Sequence, residues 1–318
     1  MKPVVTFGET MGLFRATSVG SLDHVSDFAL GIGGAESNVA IAIARLGTPV
    51  TWVGRVGADS IGHRILRELR AEGLDVRGIV DPAAPTGLMV KEQRTGDATR
   101  VQYYRKGSAG SRLTTTDLAD AGIEHAALLH VTGITPALSD SAREAVRGAI
   151  SVARNAGVPV SFDVNHRTAL WNKDSGNDDA AALYRELAAG ADIVFAGEDE
   201  ARILFPTAAT PSELAHTIAG LGPSQVIIKL GEAGCAALVE GTSYTRAAIP
   251  VRAIDTVGAG DAFVAGYLAE FLAGLPVEAR LTTAVTVGAF ACVNAGDWEG
   301  FPTRDELPLL MASEPVQR

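Results

Sequence analysis

Between residues 127 and 230 the chain keeps one rhythm, in which short apolar runs alternate with longer stretches of helical period. The apolar runs fall at 127–131, 158–164, 193–196 and 226–230, and the helical patterns at 141–155, 179–189, 198–205 and 212–221. Runs of that length read as strands buried on both faces, and strands separated by helices are joined by crossovers rather than hairpins. The pattern therefore predicts an α/β fold with a mostly parallel central sheet and helices on both faces. Residues 4–7 and 50–53 read as further strands, and 37–46 as a helix entered through Gly31, Gly33 and Gly34. Another helix is capped by Asp59-Ser60, runs to Glu72 and stops at Gly73. Ligands of such sheets collect at the carboxyl ends of the strands. Glu9, Asn165, Gly231 and the loop at Gly258 each follow an apolar run and are expected on one rim. Glu9 itself reads more readily as a solvent-exposed loop residue than as a ligand contact.

Two stretches break the rhythm. Residues 14–28 are mixed and polar with no helical period, and read as short strands and loops. Residues 88–93 and 99–104 are alternating runs that flank Thr95-Gly96-Asp97, which is a hairpin signal.

The densest chemistry lies in Ile254-Asp255-Thr256-Val257-Gly258-Ala259-Gly260-Asp261-Ala262-Phe263, which continues into an apolar helical pattern as far as Leu272. Gly258 and Gly260 can take backbone angles closed to other residues, so the amides of 257–260 can point together at an anion. The positive end of the following helix adds to their pull. Asp261 would lie in the first helical turn, where it can accept a proton from a hydroxyl that attacks the bound anion. On these residues alone the competing reading is a Gly-rich turn with Asp261 as a helix cap.

This stretch closely resembles the C-terminal signature of the ribokinase-like (PfkB-type) carbohydrate kinases, and Gly33-Gly34-Ala35-Glu36-Ser37-Asn38-Val39-Ala40 resembles a second stretch of that family. The resemblance covers nearly the whole chain. It implies a single kinase domain over 1–318, with a small β lid drawn from about 12–32 and 86–106. It also implies ATP-dependent phosphorylation of a sugar hydroxyl, with Asp261 as general base and Val257, Gly258, Ala259 and Gly260 around the transferring phosphoryl group. Nucleotide contacts are implied at Asn165 and at Lys229, Gly231 and Gly234 of a K-x-G-x-x-G loop. Glu200 matches a residue that helps to hold magnesium through water, although Gly197 stands where the family has Asn. The segments around Tyr103, Arg105, Arg167 and Asp297 are similar to the branch of the family that acts on 2-keto-3-deoxygluconate. In that branch the residues matching Gly34, Tyr103, Arg105, Arg167, Asp261 and Asp297 contact the sugar. Asn38 and Met89 are assigned beside them, Met89 standing where some relatives carry tyrosine. Two arginines on one rim suit the carboxylate of a sugar acid. Fructokinase shares the nucleotide-side motifs and is the alternative, and a non-catalytic sugar-binding relative is opposed by the presence of Asp261.

Charge and composition exclude other classes. A net charge of −10 argues against a general nucleic-acid or membrane-surface role. No apolar run approaches the ~20 residues of a membrane span, and no signal-like segment precedes the first strand, so a cytoplasmic location is expected. Cys235 and Cys292 form neither a C-x-x-C pair nor a disulfide framework and are expected to be buried thiols. There is no H-E-x-x-H motif or Cys/His cluster for zinc and no Walker A sequence. Gly31-Ile32-Gly33-Gly34-Ala35-Glu36 lacks the last glycine of a dinucleotide fingerprint. The expected cofactors are ATP and Mg2+, and whether a monovalent cation joins them stays open. Exposed edges on a lid sheet lead to the expectation of a homo-oligomer.

Overall fold

The computed structural model describes residues 1–95, 98–171 and 177–311. The chain opens with β1 (Val4–Phe7), β2 (Met11–Ala16), β3 (Phe28–Gly33), α1 (Ala35–Arg45), β4 (Val50–Gly57), α2 (Ser60–Ala71) and β5 (Asp75–Asp81). Next come β6 (Leu88–Thr95), β7 (Ala98–Tyr104), β8 (Leu128–Thr132), α3 (Thr135–Leu138), α4 (Asp140–Asn155), β9 (Val160–Asp163) and α5 (Asp178–Ala189). β10 (Ile193–Gly197), α6 (Glu198–Leu204), α7 (Pro211–Ala219), β11 (Gln225–Lys229), β12 (Cys235–Val239) and β13 (Thr242–Arg246) follow. Two long helices, α8 (Ala259–Leu272) and α9 (Val277–Cys292), follow, and a 3-10 helix over Arg304–Met311 comes after them.

The large sheet has the order β13-β12-β11-β10-β9-β8-β1-β4-β5. Every pairing from β5 across to β11 is parallel, as the alternating pattern predicts, while β12 and β13 add to that edge antiparallel. This antiparallel extension was not expected, because residues 235–246 carry a weak and partly polar strand pattern. Strand alternation sends Val4 to one face of the sheet and Val5 and Phe7 to the other, and each joins a separate apolar layer. One layer is closed by α4, α5, α6 and α7, the other by α1, α2, α8 and α9. α4 shows how the pattern works: Ala142, Ala145, Val146, Ala149, Ile150 and Ala153 repeat at three- and four-residue spacing and are all buried. α8 is buried almost all round, from Asp261 to Glu270, because α1 and α9 pack beside it.

A second sheet of order β3-β2-β6-β7 stands off the carboxyl rim as a lid. β2 pairs antiparallel with β3 and parallel with β6, and β6 pairs antiparallel with β7. The expected turn at Gly96-Asp97 lies outside the described residues, and the strands on either side of it form as predicted. Met11, Leu13 and Met89 make a small apolar cluster of their own.

Asp59 fastens this lid to the body. Its Oδ1 accepts from Gly62 N at 2.8 Å, capping α2, and its Oδ2 accepts from Thr86 N at 2.8 Å, just before β6. Thr86 Oγ1 also donates to Oδ1 at 2.8 Å. Partial burial alone would raise the carboxyl, but the donors of Thr86 and Gly62 outweigh it and hold the group below its ordinary 3.8. Asp59→Ala is expected to cost about 2 kcal/mol, read as a lower denaturant midpoint, with Asp59→Asn keeping part of it. Because the folded value is depressed, this contribution is present at neutral pH and fades only as pH falls below 3.8 through the folded value.

Candidate active site

Asp261 occupies the first turn of α8 with its side chain 6% exposed. Its two oxygens are held separately: Asn38 Nδ2 from α1 donates to Oδ2 at 2.8 Å, and Asn165 Nδ2 from the end of β9 donates to Oδ1 at 3.0 Å. Asn165 sits at φ 41, a left-handed conformation that asparagine tolerates better than most residues. Burial raises the Asp261 pKa, opposed by the Asn38 hydrogen bond and by the charges of Arg167 and Lys229. A buried carboxylate aimed by two amides, with a raised pKa, has the properties of a general base.

The two glycines beside it differ, which corrects the expectation that both need unusual backbone angles. Gly258 is the N-cap at φ 81, and a Cβ there would collide with the Asp297 carbonyl. Gly260 is helical, and a Cβ there would meet only Lys229 Nζ, at 3.6 Å. The cradle is also smaller than expected. Val257 N donates to Asp255 Oδ1 at 3.2 Å and Ala259 N to Thr256 O at 3.3 Å. The amides left without an acceptor among the described residues are those of Gly258, Gly260 and Asp261, the orphan donors of a helix start.

Around this helix end the carboxyl rim supplies paired charges. Lys229, at the end of β11, holds both oxygens of Asp163 at 2.8 and 2.9 Å. Burial raises Asp163 and Lys229 opposes that rise, while the carboxylates around Lys229 keep it charged. Glu200 caps α6: Oε2 accepts from Gly197 N at 2.6 Å and Oε1 from His166 N at 2.9 Å. Among the described residues no three metal-ligating side chains converge. That arrangement suits an ion bound mainly by phosphates and water, which Glu200 and Asp163 can touch through their remaining lone pairs, and not a protein cage. Arg167 donates to His166 O at 3.1 Å and makes no ion pair among the described residues.

The lid closes the other side. Glu9 is buried at 3% exposure, contrary to the solvent-exposed reading, because Arg105 and Ser108 fold down onto it. Arg105 Nε and Nη2 lie 2.7 and 2.6 Å from Glu9 Oε2, and its guanidinium stands 5.9 Å from the half-exposed Tyr103 ring. Met89 makes an apolar wall at the place where a tyrosine would be polar. Gly34 leaves no room for a Cβ, which would collide with the Glu9 carbonyl oxygen. Asp297 is raised to about 6 by burial, against the pull of Lys91.

These groups line two cavities that meet at the start of α8. The first, about 440 Å³ under the lid, is walled by Gly34, Asn38, Met89, Tyr103, Arg105 and Arg167, with Asp261 and Asp297 also on its surface. The second, about 800 Å³, is largely apolar and includes Gly231, Gly234, Ile249, Phe263, Val285 and Ala289. Lys229, Gly231, Thr256 and Gly260 border both. The geometry thus brings all the sequence-predicted residues to one place except Ala259 and Gly234, which face only the second cavity. Sequence reasoning missed Lys91 and Glu36. Glu36 is buried in the first turn of α1, accepts from Thr132 and Thr135 Oγ1 at 2.6 Å each, and borders the first cavity. It lies within the Gly33–Ala40 stretch, which was its only signal.

The two glycines should separate in a mutational test. Gly258→Ala is expected to lower thermal stability markedly, since it combines positive φ with a backbone collision. Gly260→Val is expected to fold with little change in melting temperature and to lose most turnover, because its side chain would fill the space beside Lys229. Melting curves and initial rates on the same preparations check both.

The residues match a known group over nearly their full length. Residues 1–304 match the model of the pfkB family carbohydrate kinases. The 2-dehydro-3-deoxygluconokinase of Bacillus subtilis is 39% identical over 98% of this chain and 95% of its own length. A crystal structure of a PfkB protein from Polaromonas sp. JS666 superposes with a TM-score of 0.87 at 37% identity, over 96% of this chain and 99% of that one. The fructokinase of Vibrio cholerae, solved in a fructose, ADP and calcium ion bound form, superposes with a TM-score of 0.84 at 26% identity, over 98% and 99%. Matched over residues 1–304 and sharing 39% of its residues with the Bacillus subtilis enzyme, the chain belongs to the pfkB family of carbohydrate kinases.

Proposed function

We propose that this kinase transfers the γ-phosphoryl group of ATP to the terminal primary hydroxyl of 2-keto-3-deoxygluconate. The observation that carries the substrate class is the charge inventory of the lidded cavity. Of its cations Lys91, Arg105 and Lys229 are each ion-paired with carboxylates, whereas Arg167 makes no ion pair among the described residues and feels Asp261, Glu200 and Asp163 only at longer range. An unpaired, half-buried guanidinium is costly unless an anionic ligand completes it. A sugar acid supplies that anion and a neutral ketose does not, and the Bacillus subtilis relative carries the corresponding name.

In this reading the sugar lies in the lidded cavity against Gly34, Asn38, Met89, Tyr103, Arg105, Arg167 and Asp297. The nucleotide lies in the apolar cavity along Gly231 and Gly234, with Lys229 where the two cavities meet and Asn165 beside it on the wall of the first. Asp261 takes the proton of the terminal hydroxyl as its oxygen attacks the γ-phosphorus; the new O–P bond forms, the bond to the β–γ bridging oxygen breaks and ADP leaves. The amides of Gly258, Gly260 and Asp261 stabilise the charge on the transferring group. Glu200 would hold a magnesium ion through water, and that ion would neutralise phosphate charge. Arg105 contributes through the nitrogen that Glu9 leaves unused, so Arg167 is the principal acid grip.

A phosphorylation assay comparing 2-keto-3-deoxygluconate, its galactose-derived epimer, fructose and ribose tests the reading, and a wild type that prefers fructose overturns it. Arg167→Ala is expected to weaken the acid substrate by roughly 10- to 150-fold and fructose much less. Asp261→Asn is expected to lower kcat by ~100-fold or more while both substrates bind within a few-fold. Since the base must be ionised, wild-type turnover should fall as pH drops through the raised pKa of Asp261, and the residual rate of Asp261→Asn should lack that limb.

A further inference from the structure

Lys91 was singled out by nothing in the sequence, yet it occupies a point where three parts of the site join. It stands on β6 of the lid, and its ammonium reaches Asp255 Oδ2 and lies 3.2 Å from Asp297 Oδ1. All three side chains are buried, at 3%, 8% and 5% exposure. The two carboxylates are themselves attached to the phosphate cradle. Asp255 Oδ1 accepts from Val257 N at 3.2 Å, and its Oδ2 accepts from Gly296 N at 3.3 Å. The Asp297 backbone carbonyl lies so close to Gly258 that no side chain fits between them. On the lid side, Asp297 Oδ2 lies where a Cβ on Gly33 would be only 2.5 Å away.

We propose that Lys91 is a positioning residue that ties the docked lid to the shape of the amide cradle, so that the cradle is set for phosphoryl transfer only while the sugar lid is in place. The inference rests on the kinase reading above. Its physical basis is that two buried carboxylates repel each other unless a cation lies between them, and here that cation is supplied by the lid. Without it the loops bearing Asp255 and Asp297 move apart, and Gly258, packed against the second and joined through Val257 to the first, moves with them. A shift of about 1 Å in such a site costs on the order of 100-fold in rate.

The test compares Lys91→Ala and Lys91→Met with wild type, using whichever sugar the wild type phosphorylates best. A wrong substrate assignment therefore leaves this test intact. Lys91→Ala is expected to lose roughly 100-fold in kcat with sugar KM within a few-fold, and added ammonium or methylammonium is expected to restore part of the loss by entering the vacated space. Wild type and Lys91→Met, whose space is filled, should not respond to either amine. A rise in sugar KM with kcat unchanged would make Lys91 a sugar ligand and overturn the proposal. So would a kcat loss that no small amine restores and that only tracks a fall in melting temperature. Should Lys91→Ala fail to fold, Lys91→Met/Asp255→Asn removes the repulsion together with the cation; a kcat near that of wild type in that variant supports the proposal, and a kcat as low as expected for Lys91→Ala overturns it.

Discussion

A carboxylate that must stay ionised in a closed cleft is the constraint on which the rest of this site depends. Removing an ion from water costs several kcal/mol after relaxation, and each amide hydrogen bond to it returns about 1.5–3 kcal/mol. Asn38 and Asn165 provide two such bonds to Asp261, and the helix end adds a favourable field. The balance still falls short of full compensation, which is why burial leaves the pKa raised. In the proposed reaction that residual is useful, because a base with a raised pKa is better matched to neutral pH than an exposed aspartate. It also fixes architecture: α1, the end of β9 and α8 must meet within hydrogen-bond distance, so the sheet and two helices are held to one arrangement.

The same rule governs the other charges. Asp163 with the partly buried Lys229, the buried Glu9 with Arg105, and the buried Asp255 and Asp297 with the single Lys91 are all ion-paired. Such pairs add little net stability against apolar residues of the same size, but removing one partner costs about 3–5 kcal/mol. Their value here is directional. They place fixed charges around two cavities without giving either a large excess of one sign, and leave Arg167 as the exception. In a chain of net charge −10, Arg167 is thus the side chain left to meet an anion in the lidded cavity.

Legibility followed the range over which each feature is encoded. The parallel sheet was readable because each strand and helix carries its own period, and so was the start of α8, whose glycines and Asp261 lie within four residues. β12 and β13 were not, since their residues mix polar and apolar positions and depend on pairing with β11. Glu9 was misjudged because its partners, Arg105 and Ser108, arrive from the lid some 96 and 99 residues later. Lys91 looks like any outward lysine on an alternating strand, and only the meeting of the Asp255 and Asp297 loops gives it a partner. The shortening of the cradle, with Val257 N turned to Asp255, follows from side-chain geometry that no local pattern reports.

The hydrogen bond from Asn38 to Asp261 spans 223 residues, and that of Lys91 with Asp297 spans 206. A nascent chain therefore carries its lid, its first helices and its sheet before it makes Asp261 and the amides of Gly258 and Gly260. Loop closure over such distances is slow, and transiently open sheet edges are prone to wrong pairing while it proceeds. The layout accordingly makes the site a late event in folding: a half-made chain that lacks α8 has neither Asp261 nor the amides beside it, and so cannot spend ATP.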